Sequence, residues 1–213
     1  KRIFLSPPYM TGDERKRVAE AFDSNYIAPC GPMVERFERD FAAKTGFGDA
    51  CALASGTAAV DLLCEELGVG RGTRVVCSDL TFISSVGPAF HRGAEPVFID
   101  CDEDSWTMDC AMLDKALSAG KAQMVVATDL YGQCCDYERL EAVCKSHGAT
   151  LVIDSAEALG ARFGGRSAGQ AGVAALFSFN GNKIITTSGG GMLVSHDSEL
   201  VRRARYLSQQ ARQ

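Results

Sequence analysis

Apolar positions recur along the chain with two alternating periods. From Glu14 toward Phe22, and again from Pro32, they fall at helical spacing; Val34, Phe37 and Phe41 share one stripe, and Gly46 stands just past it. Thr11 followed three places on by Glu14 has the form of a capping box and predicts where the first helix begins. Pro32 suits the opening turn of the second, because the N–H it lacks has no partner at a helix start. "GTAAVDLLCEELGVG" predicts a buried helix from Thr57 to Leu67, closed by glycine.

Further on the apolar runs become short. "RVVCS", "EPVFID", "QMVVATD" and "TLVID" are rich in Val and Ile and read as strands, with "ALFSF" and "GGMLVS" as two more. Between them lie helices opened by Asp109 ("DCAMLDKALS") and Asp136 ("DYERLEAVCKSHG"). Near-continuous apolar strands alternating with helices predict an α/β fold, a mostly parallel mixed sheet with helices on both faces. No linker, low-complexity tract or internal repeat interrupts the pattern, so one domain is expected over 1–213, ending in the helix "ELVRRARYLSQQARQ".

Composition narrows the function classes. A chain of 213 residues that is 46% hydrophobic and 23% charged is that of a globular domain. A net charge of -5 without a basic cluster argues against a nucleic-acid partner; Arg202, Arg203 and Arg205 read as the solvated face of the last helix. No apolar run reaches the ~18 residues of a membrane span, so no membrane partner is expected. "KRIFLSPPYM" is basic and then proline-broken, unlike a signal peptide, and it opens on Lys rather than Met, so a natural start upstream is expected. The nine cysteines are odd in number and show neither CxxC nor Cys/His metal spacing; Cys64, Cys77 and Cys144 sit in apolar patterns. Buried reduced thiols, no metal and a cytoplasmic location are expected.

In open α/β sheets, ligands lie outside the carboxyl ends of the strands. Asp79, Asp100, Asp129, Asp154 and the Ser178–Lys183 loop follow strand ends. Asp154 either caps a following helix or meets a cation in a crevice. Lys183 is either an exposed loop lysine or one held in a partly dry pocket, where a lysine becomes a nucleophile for carbonyls. Ser178, Asn180, Asn182, Thr186, Thr187 and Ser188 surround it with more hydrogen-bonding groups than a solvated loop needs. Gly56, Thr57 and Ala58 open a helix whose free N–H groups suit a phosphate, or simply an N-cap. Neither GxxxxGK[ST] nor a post-strand GxGxxG occurs. A phosphate cradle, a strand-end acid and a carbonyl-seeking lysine together match the needs of pyridoxal phosphate. Phe82, in "DLTFISS", is placed either to stack on that ring or to fill the core.

At these residues the chain resembles the DegT/DnrJ/EryC1/StrS family of sugar aminotransferases, enzymes of the fold type I pyridoxal-phosphate class. The likeness runs from "NYIAPCGPMVERFERDFA" through "SGTAAV", "DLTFISS", "PVFIDCDEDSW", "DLYGQ" and "IDSAEALGA" to "SFNGNKIITTSGGGML". The resemblance implies that Lys183 links the cofactor's aldehyde, Asp154 pairs with its ring nitrogen, and Phe82 stacks on its ring. It implies further that Gly56, Thr57 and Ala58 hold the phosphate with Ser178. Glu157 stands where many relatives carry Gln near the ring oxygen. Relatives that dehydrate sugars have His at the lysine position, so Lys183 favours transamination.

The implied reaction takes an amine from an amino acid, glutamate first, and delivers it to the 4-keto group of a nucleotide-linked 6-deoxy sugar. "NGN" before Lys183 leans toward UDP-4-keto-6-deoxy-N-acetylglucosamine. Two alternatives stay open: a GDP-linked sugar of the perosamine type, and a chain that folds and binds cofactor or partner without turnover. The family is homodimeric and carries a smaller C-terminal domain. This chain is expected to be the large cofactor-binding domain, 1–213, without that smaller one.

Overall fold

The computed structural model describes residues 2–211 and contains one seven-stranded sheet. Its strands are β1 (Asp49–Leu53), β2 (Arg74–Ser78), β3 (Glu95–Ile99), β4 (Met124–Thr128), β5 (Thr150–Asp154), β8 (Ala174–Ser178) and β9 (Gly191–Ser195). A two-stranded hairpin of β6 (Arg162–Phe163) and β7 (Arg166–Ser167) stands apart. The sheet order is β1-β9-β8-β5-β4-β2-β3. Every neighbouring pair from β3 to β8 is parallel, while β9 runs antiparallel to both β8 and β1. This is the expected mostly parallel mixed sheet, with its antiparallel pairs at one end.

The strand residues alternate between two cores. Val76, Val125, Ala127, Leu151, Ile153 and Phe177 pack on one face, under α2 (Pro32–Thr45), α5 (Cys110–Ala119) and α6 (Tyr137–His147). Val75, Cys77, Met124, Val126, Val152 and Leu176 pack on the other, under α3 (Gly56–Glu66), α4 (Gly87–His91) and α7 (Ser198–Ser208). A parallel sheet buried on both sides needs apolar residues at consecutive positions, which is why its strands show no alternation in the sequence.

Most helix boundaries obey their caps. Asp109 accepts from the N–H groups of Ala111 and Met112, Asp136 from that of Arg139, and Gly46 ends α2 in the left-handed region at φ 79. The capping box at α1 (Glu14–Asp23) forms only in part. Glu14 accepts from the Thr11 N–H at 2.8 Å, but the helix starts after Asp13, and the Thr11 hydroxyl accepts from Asp13 instead. No residue of α1 is buried; its apolar Val18 and Phe22 are exposed.

Three further expectations are corrected. The chain forms strand β1 from "DACAL", which has no β-branched residue to signal it. Arg205 is not solvated: it donates to the Ala50 carbonyl at 2.6 Å and pairs with Glu38 and Asp49, while Arg203 pairs with the nearly buried Glu66. Cys30 is exposed and Cys101 only half-buried; the other cysteines are buried and all nine are free thiols. The last helix ends at Ser208, and Arg212 and Gln213 lie outside the described residues.

Candidate active site

Because β9 is reversed, its first residue, Gly191, lies at the same sheet edge as the carboxyl ends of β1, β8, β5, β4 and β2. A cleft of about 460 Å³ opens there. Gly56, Thr57, Phe82, Asp129, Asp154, Glu157, Ser178 and Lys183 all line it. Asp79 and Asp100 are exposed and do not.

The floor of one end is the start of α3. Ser55, its N-cap, accepts from the Ala58 N–H at 3.1 Å. Ala58 therefore does not offer that N–H to the cleft, and the open part of the turn is Gly56–Thr57. Gly191 lets this turn sit against β9, because a Cβ there would fall 2.3 Å from the Ser55 carbonyl carbon and 2.5 Å from the Gly56 nitrogen. Gly191→Ala is expected to push the turn away and to destabilise the fold by about 2–4 kcal/mol, as overpacking against backbone does. A thermal midpoint unchanged from wild type would contradict that close approach.

Asp154 is the last residue of β5 and only 5% exposed. No helix follows for it to cap. Its Oδ1 accepts from the Ala156 N–H at 3.0 Å and its Oδ2 from the Ser85 hydroxyl at 2.6 Å. No cation pairs with it among the described residues. Burial pushes its carboxyl above the usual carboxylate range, and the Ser85 and Ala156 hydrogen bonds and the charge of Lys183 oppose that shift. A buried carboxylate facing a cleft without a cation is suited to a protonated ring nitrogen.

Asp129, one strand over, is fully buried. It accepts from the Tyr137 hydroxyl and the Ser155 hydroxyl, each at 2.6 Å, and from the N–H groups of Cys135 and Gly169. Burial raises its pKa too, and those donors oppose the rise. Tyr137 and Ser155 carry no motif; only Asp129, at a strand end, was visible in the sequence.

Lys183 lies on the loop joining β8 to β9, with its side chain 13% exposed. Its Nζ donates to Glu157 Oε1 at 2.7 Å. Its backbone N–H donates to the Asn180 carbonyl at 2.9 Å, but none of the polar side chains around it in sequence hydrogen-bonds to its amine. Asn180 donates to Asn182, while Thr186 and Thr187 donate to the carbonyls of Phe179 and Gly189. Those groups fold the loop, and one carboxylate holds the lysine. Glu157, read as a neighbour of a ring oxygen, is here the ion-pair partner of Lys183. Phe82 is 73% exposed on the cleft wall and takes no part in the core.

The site fits pyridoxal phosphate on three observations. Asp154 is a buried acid without a cation, Gly56–Thr57 is a backbone turn kept open by Gly191, and an amine and an exposed aromatic ring line the same cleft. Among the described residues no cluster of His, Cys, Asp and Glu suits a metal ion.

Comparison with known proteins agrees with this geometry. Residues 8–213 match the sequence model of the DegT/DnrJ/EryC1/StrS aminotransferase family. A protein of Bacillus subtilis (strain 168) named "Putative pyridoxal phosphate-dependent aminotransferase EpsN" is 44% identical over 218 residues, 100% of this chain and 56% of its own length. GDP-perosamine synthase of Caulobacter vibrioides is 37% identical over 206 residues, 97% of this chain and 55% of that one. Among solved structures, "Putative sugar aminotransferase Spr1654 from Streptococcus pneumoniae, PLP-form" superposes with a TM-score of 0.87 at 30% identity, covering 98% of this chain and 58% of that one. The chain thus spans somewhat more than half the length of these relatives. Its sheet and flanking helices are the fold type I architecture of these aminotransferases.

Proposed function

Because the chain belongs to the DegT/DnrJ/EryC1/StrS aminotransferase family, we propose that residues 1–213 are the cofactor-binding large domain of an enzyme that aminates a nucleotide-linked 4-keto-6-deoxy sugar. The observation that carries this reading is the pairing, in one cleft, of a buried uncompensated Asp154 with Lys183. Pyridoxal phosphate, when bound, supplies an aldehyde that takes up an amine and a ring that accepts electron density.

The protein's own residues do the rest. The Gly56–Thr57 turn, with Ser178, offers N–H and hydroxyl groups and a positive helix end to a phosphate. Asp154 holds a proton on the ring nitrogen by a charge-assisted hydrogen bond. Phe82 covers one face of the ring and keeps water from it. Lys183 carries protons to and from the reacting carbon, and Glu157, 2.7 Å from its amine, orients it. For the nucleotide sugar we take UDP-4-keto-6-deoxy-N-acetylglucosamine, with glutamate as donor. A GDP-linked sugar is the second reading, favoured by the 37% identity to a GDP-perosamine synthase. Exposed Leu80, Phe82 and Tyr131 at the cleft support a second copy of the chain closing the site. The free thiols support the cytoplasm as its place.

Borohydride reduction in the presence of pyridoxal phosphate is expected to label Lys183. The labelled protein's unreduced counterpart is expected to move nitrogen from glutamate to the UDP sugar in preference to the GDP sugar. Label on no residue, in this chain and in one extended to the relatives' length, would remove the reading. Label without transfer in both would leave a binding module.

A further inference from the structure

We propose that Ser85 is a positioning residue: a one-way relay of hydroxyls from Thr128 through Thr81 to Ser85 fixes the carboxylate of Asp154 and ties it to the turn that carries Phe82. The inference rests on the cofactor site proposed above. Its material is three short contacts. Ser85 Oγ lies 2.6 Å from Asp154 Oδ2, Thr81 Oγ1 lies 2.7 Å from Ser85 Oγ, and Thr128 Oγ1 lies 2.8 Å from Thr81 Oγ1.

The direction of the relay follows from proton counting. An ionised carboxylate only accepts, so Ser85 donates to Asp154. The single Ser85 proton is then used, and Thr81 donates to Ser85. By the same step Thr128 donates to Thr81. Each bond polarises the next, and all three point toward the buried oxygen of Asp154. The three hydroxyls come from three places: Ser85 from the 3-10 turn Ile83–Ser85, Thr81 from the residue before Phe82, and Thr128 from the end of β4.

The same turn is fixed through its backbone. The Ser85 N–H donates to the Phe82 carbonyl at 3.0 Å, and Thr81 donates its N–H to the Asp79 carbonyl. Phe82 and the Asp154 carboxylate are thus set by one structure, although one would lie over a ring and the other at its edge. Ser85 itself is fully buried and does not line the cleft. It has no route to a ligand, so its influence passes through Asp154. Charged groups facing Asp154 are Lys183 and Asp129, and both remain in every variant below.

The test uses Ser85→Ala, the same-volume Thr81→Val, and each in an Asp154→Asn background. In cofactor-free protein, Ser85→Ala is expected to lower the thermal midpoint more at pH 7.5 than at pH 5. Loss of a donor penalises the ionised acid and leaves the neutral acid less affected, so that pH dependence should vanish beside Asp154→Asn. With cofactor, its dissociation constant is expected to rise about tenfold for Ser85→Ala and less for Thr81→Val. The pH midpoint of the bound cofactor's visible band should move upward in both, because a looser carboxylate leaves less positive charge on the ring.

If Ser85→Ala does not fold, Thr81→Val alone carries both measurements. A loss of stability equal at both pH values and in both backgrounds, with unchanged affinity and band midpoint, would overturn the relay. Wild-type protein that takes up no cofactor, in this chain and in one extended to the relatives' length, would instead sink the aminotransferase reading, while the cofactor-free comparison still judges the relay.

Discussion

Lys183→Ala is expected to abolish borohydride labelling by pyridoxal phosphate and to slow amine transfer to the sugar by about 10³-fold or more. Two roles disappear with one side chain: the amine that captures the cofactor's aldehyde, and the group that moves protons at the reacting carbon. The fold should be nearly unaffected. Lys183 sits on a loop, and its one side-chain partner is Glu157, which is partly exposed and can be hydrated once the lysine is gone. The measurement is a single turnover with protein preloaded with pyridoxamine phosphate, which bypasses the capture step. A rate within tenfold of wild type would mean that another base does the work, and Glu157 would be the first to examine.

Asp154→Asn is expected to act in opposite directions on function and on stability. Cofactor affinity should fall by about 10–100-fold, the worth of a charge-assisted hydrogen bond. The cofactor-free protein, by contrast, should melt higher at pH 7.5. Burial is the main cause that raises the Asp154 pKa, with the Ser85 hydrogen bond next and opposing it. An acid with a raised folded pKa weakens the fold above its unfolded value, near ~3.9, and that penalty is lifted as pH falls through the folded value. The midpoint advantage of Asp154→Asn should therefore be full above the folded pKa and shrink as pH falls from there toward the unfolded value. An Asn variant that is less stable at every pH and binds cofactor normally would show that the carboxylate serves the fold and not the ring. The expected pattern is that of a site kept under strain for its ligand.

Much of this frame was legible in the sequence because it depends on local rules. Strands β2, β3, β4, β5, β8 and β9 are short apolar runs, α5 and α6 begin where Asp109 and Asp136 can cap them, and Asp154 and Lys183 lie where the strand-end rule looks for ligands. The first strand of the sheet was not legible. β1 reads "DACAL", a weak strand former that takes its shape from pairing with β9. Nor was the setting of Lys183. Its sequence neighbours bond to each other and to the loop backbone, while its partner Glu157 comes from beyond β5. Ser85 stands in "DLTFISS" with nothing to mark its role, because its meaning depends on Thr81, Thr128 and Asp154 arriving together. Arg205 shows the same limit, since a run of arginines does not reveal which one reaches a buried carbonyl. Motif spacing finds residues that meet a ligand; it is blind to those that meet one another across the sheet.

The pairing of β1 with β9 has a consequence for how the protein comes into being. A ribosome delivers Asp49 long before Ser195, its partner in the ladder, and among the described residues β1 has no other strand to join. Until nearly the whole chain has emerged, β1 is an unpaired strand, and the turn at Ser55–Gly56 lacks the Gly191 backbone it rests on. Contacts this distant in sequence form late and slowly, and they leave apolar surface uncovered meanwhile. The turn proposed to cradle the phosphate is made early as sequence and late as structure. A nascent chain stalled before β9 can have its parallel strands in place and still be unable to hold the cofactor.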